Sequence, residues 1–287
     1  MPNIDKYELI SELGTGSQST VYLGKNPQGI EVAIKISKRI DDHAVERIQN
    51  EQTILSQIDH PNLLRILDSG FIENSSYMVM EYFNGIPFKD YMGNHAELDL
   101  KAKIRLMIKI AKTVGEIHRH GYVHRDIKPT NILINQRSEE IRLTDFGIVQ
   151  LPESTLTRTF SIVGTPAYLS PEGFQNPRVT PASDIYSLGA IAYEFFLGEP
   201  LFDFKTLKKK SDLGLKTISE NPKSPFKVKK NFPVNVTMVL EKMLKKNPEA
   251  RYQNGHEVAK ALDKVLTDGF KKTRVFFKKK WCTKTSK

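Results

Sequence analysis

The chain has 287 residues, 39% hydrophobic and 26% charged, with a net charge of +10. That length allows a large buried core in one or two domains, and the composition is ordinary for a globular protein. No apolar run approaches the length needed to cross a bilayer, and the lone cysteine, Cys282, excludes an intrachain disulfide. The first residues, Met1 to Tyr7, show no basic-then-apolar leader pattern, so a cytoplasmic location is expected. The positive charge is unevenly placed. Residues 205–230 hold nine Lys against two acids, and residues 271–287 hold seven Lys and one Arg with no acid. The rest of the chain is slightly acidic, so the basicity belongs to the C-terminal part.

The first third reads as strands. Tyr7 to Leu13, Thr20 to Lys25 and Ile30 to Ser37 are separated by turn compositions, Gly14–Ser19 and Asn26-Pro27-Gln28-Gly29. Antiparallel hairpins follow from that spacing. Asp41-Asp42 then precede a helical pattern through Val45, Ile48, Ile54, Leu55 and Ile58, ended by His60-Pro61-Asn62. Two more strand-like runs follow, Leu63 to Leu67 and Tyr77 to Glu81. After Asn84-Gly85 the pattern turns helical: Ile104, Ile108, Ala111, Val114 and Ile117 recur at helical spacing. Ile185 to Leu197 is apolar nearly all round, which predicts a buried helix capped by Gly198. Val236 to Leu244 and Val258 to Leu266 predict two further helices. A small β-rich lobe is thus followed by a larger helical lobe, with a cleft expected between them.

Two acids and an amide stand out in the residues that carry chemistry. His124-Arg125-Asp126-Ile127-Lys128-Pro129-Thr130-Asn131 is followed by Asp145-Phe146-Gly147. Asp126 can orient an attacking hydroxyl or take its proton, and Lys128 can neutralise charge on a moving phosphoryl group. Asn131 and Asp145 offer hard oxygen ligands of the kind magnesium prefers beside phosphates. Upstream, period two on the third strand puts Ala33 and Lys35 on one face and Val32, Ile34 and Ile36 on the other. Lys35 can then reach phosphates, and Glu51 in the following helix can direct it. Gly14-Thr15-Gly16 lets backbone amides approach phosphate oxygens, a weak signal alone. The set describes phosphoryl transfer, where positioning and charge stabilisation carry the rate.

These motifs, with Ser170-Pro171-Glu172, Asp184 to Gly189 and Arg251, resemble the eukaryotic-type protein kinase family, on its Ser/Thr side and most like bacterial members. The resemblance implies an α+β bilobal fold with a kinase domain over 7–268. The small lobe would cover about 7–81, the hinge 82–85 and the helical lobe 86–268, followed by a basic tail, 269–287. It implies transfer of the γ-phosphate of ATP, with Mg2+ (or Mn2+), to Ser or Thr hydroxyls of protein substrates. Asp126 would be the catalytic base, assisted by Lys128 and Thr165, with Asn131 and Asp145 as metal ligands. Lys35 would hold the α- and β-phosphates and pair with Glu51. Gly14, Gly16 and Ser19 would cover the phosphates. Val21, Ala33 and Leu133 would sandwich adenine, Met80 would be the gatekeeper, and Glu81 to Phe83 would meet the base edge. Leu55, Ile66, His124 and Phe146 would stack into an internal spine. Glu172 would pair with Arg251, and Asp184 would anchor the 124–126 loop. Ser19 stands where the family has a third glycine, and Ser170 where it has alanine.

The resemblance also implies regulation. Arg125 would receive a phosphate from an activation segment that carries Ser154, Thr155, Thr157, Thr159 and Ser161, with autophosphorylation at Thr157 and Thr159. Residues 271–287 interleave lysines with Phe276, Phe277 and Trp281. A solvated tail is the simpler reading; an anionic membrane surface is a partner it suits, which would make the protein peripheral, and nucleic acid is a weaker one. Two competing classes remain at this point: a catalytically dead scaffold, and a small-molecule phosphotransferase with a similar cleft.

Overall fold

The computed structural model describes residues 4, 6–16, 19–37, 58–72, 75–145, 166–175, 179–202 and 210–271. Outside these lie Val45, Ile48, Glu51, Ile54 and Leu55 of the helix expected after Asp42, Phe146-Gly147, the hydroxyls at 154–161, Thr165, and the tail from residue 272 onward, while Ile58, the last residue of that pattern, is buried and not helical.

Five strands form one antiparallel sheet in the order β1-β2-β3-β5-β4: β1 (Glu8–Thr15), β2 (Ser19–Lys25), β3 (Glu31–Ser37), β4 (Ile66–Ile72) and β5 (Ser75–Glu81). The first three match the expected runs to within two residues. The turn between β2 and β3 is built by Asn26, whose Oδ1 accepts from the backbone N–H of Gln28 (3.0 Å) and Ile30 (2.9 Å). Gly29 closes that turn at φ +75°. The alternation on β3 divides the lobe as period two requires. Val32, Ile34 and Ile36 pack with Ile4, Tyr77 and Val79, while Ala33 packs on the other face with Leu64, Met78 and Met80.

The strand expected over Leu63–Leu67 is displaced. Only Ile66 and Leu67 enter β4, and Leu63 instead makes a single parallel bridge to Leu143. Leu64 donates its N–H to the Leu143 carbonyl (3.1 Å), and Leu143 donates to that of Asn62 (2.8 Å). The backbone at 62–64 is therefore tied to the helical half, which removes it from the sheet. Asn62 adds a side-chain bond to the Thr113 hydroxyl (3.2 Å).

The second half contains, among the described residues, helices α1 (Phe88–Asn94), α2 (Leu100–Arg119), α3 (Pro171–Gln175), α4 (Pro181–Leu197), α5 (Lys210–Ser219), α6 (Pro225–Val228), α7 (Val234–Met243) and α8 (Gly255–Asp268). A small sheet, β6 (Ile86–Pro87), β7 (Ile132–Ile134) and β8 (Ile141–Leu143), lies in the order β6-β7-β8. α2 starts where Asp99 caps the N–H of Ala102 (2.7 Å), and its five periodic apolar residues are all buried. α4 begins with a Thr180/Ser183 capping box and ends at Gly198, φ +84°. It is buried on nearly every side and forms the axis of the helical core with α2, α7 and α8. The molecule is thus the two-lobed α+β arrangement that the motif order implies.

Candidate active site

Lys35 sits on β3 opposite Val21 and Met78, and its ammonium is ion-paired with Asp145, two residues beyond β8. Residues 110 positions apart thus meet between the sheet and the helical half. Burial works to raise the Asp145 pKa, but the Lys35 charge and hydrogen bond override it and hold the carboxyl below its ordinary range. Asp145 takes a left-handed φ of +52° and Arg125 one of +70°. Non-glycine residues adopt that region at some cost, so surrounding bonds must hold them there.

For the 124–131 loop those bonds come from α4. Asp184 is buried and accepts the backbone N–H of His124 at 2.8 Å and of Arg125 at 2.9 Å. It also accepts from His118 Nε2 at 3.0 Å, while the N–H of Gly255 donates to His118 Nδ1 at 3.3 Å. That second bond assigns the His118 proton to Nε2. Burial of Asp184 pushes its pKa up, but the His118 bond outweighs it and keeps the group ionised. His124 is fully buried, and desolvation lowers its pKa despite nearby acids, so its ring is neutral at pH 7. Its Nδ1 accepts from the Asp126 N–H (3.3 Å), and Nε2 faces the Thr144 carbonyl (3.3 Å). The loop therefore hangs from the helical core by its own backbone, and Asp126 projects from its end.

Asp126 Oδ2 accepts from Lys128 Nζ at 2.6 Å and from Asn131 Nδ2 at 2.9 Å. Asn131 Nδ2 also lies 2.9 Å from the Asp126 carbonyl and 3.4 Å from that of Asp145. With its amide nitrogen turned toward those oxygens, Asn131 has its Oδ1 as the atom that could meet a cation. A carboxylate and a carboxamide oxygen at one end of the cleft fit a small hard cation that completes its shell with phosphates.

At the other end, Ala33, Leu64, Met78 and Met80 pack with Val21, Ile66 and Phe83 as one apolar cluster. Leu133, half-buried on β7, lies opposite Arg142 on β8. Glu81 donates its N–H to the Arg65 carbonyl (3.0 Å), and its Oε1 accepts from the Arg65 N–H (3.2 Å). Gly14 and Gly16 lie at the β1–β2 turn, where the Gly16 N–H donates to the Ser19 carbonyl (2.8 Å). The two departures from the family pattern have local roles: Ser19 opens β2, and the buried Ser170 hydroxyl caps α3 by accepting from the Gly173 N–H (3.3 Å). Glu172 and Arg251 form the expected pair, at 2.7 and 2.8 Å through both guanidinium ends. Lys35, Asp126, Lys128, Asn131 and Asp145 are thus brought together, and Val21, Ala33, Met80 and Phe83 are grouped beside them. His118 and Arg142 were not anticipated. A histidine near a helix C-terminus and an arginine in a three-residue strand carry no pattern that sets them apart.

A family model for the protein kinase domain matches residues 7–264. The Bacillus subtilis serine/threonine-protein kinase PrkC is 33% identical over 258 residues, covering 88% of this chain and 39% of PrkC. The serine/threonine-protein kinase PknB of Mycobacterium tuberculosis is 30% identical over 272 residues, 91% of this chain and 43% of PknB. A Clostridium perfringens protein named as a probable serine/threonine-protein kinase is 32% identical over 269 residues, 92% of this chain and 39% of the relative. The chain spans about two-fifths of the length of these curated relatives. Among the described residues no helix is long and apolar enough to cross a membrane. Matched along most of its length and carrying the cleft just described, the chain belongs to the protein kinase domain family.

Proposed function

We propose that this chain is an ATP-dependent Ser/Thr protein kinase, its catalytic domain spanning 7–268. The observation that carries this reading is the convergence of Lys35 and Asp145 beside Asp126, Lys128 and Asn131. Members of this family use ATP and a divalent metal in general, and here Mg2+ or Mn2+ would be held by Asp145 and the Asn131 carboxamide oxygen. The cation, when bound, offsets charge on the transferring phosphates.

In this reading the amine of Lys35 moves from Asp145 to the α- and β-phosphates, and the apolar cluster around Ala33 takes the adenine ring. Asp126 receives the proton of the attacking Ser or Thr hydroxyl. Lys128, already against Asp126, follows the charge onto the γ-phosphoryl group. Thr165 and Glu51 are proposed for substrate positioning and for directing Lys35, from the motif order alone. The bonds that hold Asp126 do not involve the nucleotide. Asp126→Asn should therefore lower phosphoryl transfer by about 10²–10⁴-fold while leaving ATP affinity within about twofold. Incubation with ATP and magnesium, with phosphosite mapping and calorimetric ATP binding, checks this. Undiminished turnover in Asp126→Asn would remove the assignment, and absence of turnover in the unaltered chain on any protein substrate would remove the reading.

A further inference from the structure

Arg142 belongs to no catalytic motif, yet it joins two parts of the base-binding end of the cleft. On β8 it is paired in register with Leu133, the residue proposed to lie under the adenine ring. Its side chain does not end in solvent and is only 20% exposed. Nε lies 3.3 Å from Glu81 Oε1, and the guanidinium carbon lies 4.7 Å from the centre of the Phe83 ring. Glu81 and Phe83 are the first and third residues of the segment whose backbone would meet the base edge. The same Glu81 oxygen accepts from the Arg65 N–H, so the carboxylate is held from both sides. Nη1 donates to the Ile141 carbonyl at 3.1 Å, which fixes the guanidinium from behind.

A planar, delocalised cation can stack on a ring and bond a carboxylate at its edge at the same time; a lysine ammonium cannot do both. The guanidinium thereby ties the segment above the ring to the strand below it. We propose that Arg142 is a positioning residue that sets the separation between the Glu81–Phe83 backbone and Leu133, and hence the affinity of the slot for a purine base. The proposal rests on the kinase reading above and deepens it by naming what tunes nucleotide recognition.

The test compares the unaltered chain with Arg142→Ala and Arg142→Lys. Removing the stack and the edge bond should raise KM for ATP about fivefold and leave kcat within about twofold. Inhibition by inorganic tripolyphosphate, which carries no base, should be unchanged. Arg142→Lys, which keeps charge but not the planar stack, should lie between. An unchanged KM in Arg142→Ala overturns the proposal. So does an equal weakening of tripolyphosphate inhibition, because the whole cleft would then be disturbed. Calorimetric binding of adenosine separates this failure from failure of the kinase reading. It reads the slot even in a chain without turnover, and equal adenosine affinity in the unaltered chain and Arg142→Ala rejects the role.

Discussion

Arg251 has no exposed side-chain surface, yet every guanidinium N–H is used. Two go to Glu172, and the others to the carbonyls of Lys245 (2.6 Å), Ala182 (2.8 Å) and Lys246 (2.9 Å). A charge so placed tolerates its surroundings only while its counter-charge remains. Glu172→Gln keeps the shape but leaves the cation unbalanced, and it should destabilise the fold by about 3–5 kcal/mol. The melting temperature should drop by on the order of 10 °C for a domain of this size. Arg251→Ala should fall at least as far, because three buried carbonyls lose their donor. Differential scanning calorimetry on both variants checks the order. The motif residues were legible because they sit in short contiguous runs, such as 124–131, where chemistry and spacing appear together. The bond from Gly255 through His118 to Asp184 was not legible, since it depends on how three helices meet.

Where α8 crosses α2, no side chain separates the backbones. A Cβ on Gly255 would fall on the Ala111 carbonyl and the Gly115 nitrogen, and one on Gly115 would fall on His256. Backbone atoms cannot move aside as a flexible side chain can. Gly255→Ala should therefore cost about 1–3 kcal/mol through overpacking. Gly93, inside α1 with nothing near its missing Cβ, offers the contrast: Gly93→Ala should be neutral or stabilising by up to about 1 kcal/mol. Urea unfolding midpoints of the two variants should move in opposite directions or, at the least, by clearly different amounts. At this scale, legibility followed length. The long amphipathic α2 and α8 and the apolar α4 carry several turns of pattern, enough to be read directly. α1, α6 and the strands β6 to β8 are two to seven residues long and too short to establish a period. Leu63 and Leu64 looked like strand because they are apolar, while the Asn62–Leu143 bonds that redirect them come from 80 residues away.

Over the whole molecule, three partnered acids and the buried histidine act in one direction with pH, opposed by Glu241, whose carboxyl is pushed up by burial. Asp145, Asp184 and Glu172 are each held below their ordinary pKa once burial is outweighed by a cationic or hydrogen-bonding partner. The folded chain then binds fewer protons than the unfolded one, so their contribution is complete above about pH 4.5 and is lost as pH falls through the folded values. Desolvation depresses His124 from its ordinary 6.5, so the unfolded chain gains a proton first and stability begins to fall below about that pH. Lys246 is lowered by burial to about 8, so between there and its ordinary 10.5 only the unfolded chain keeps the proton, and stability gains with pH. Urea midpoints should accordingly decline from pH 7 to 5 and fall more steeply below 4.5. A midpoint that is flat down to pH 4 would contradict the ionisation states assigned here.

The seam at Leu63, Leu64 and Leu143 fastens the small sheet to the helices at a second place, apart from the strand-to-helix connection at Glu81–Gly85. With the Arg142–Glu81 bond as a further link, any relative displacement of the two halves must strain several connections at once.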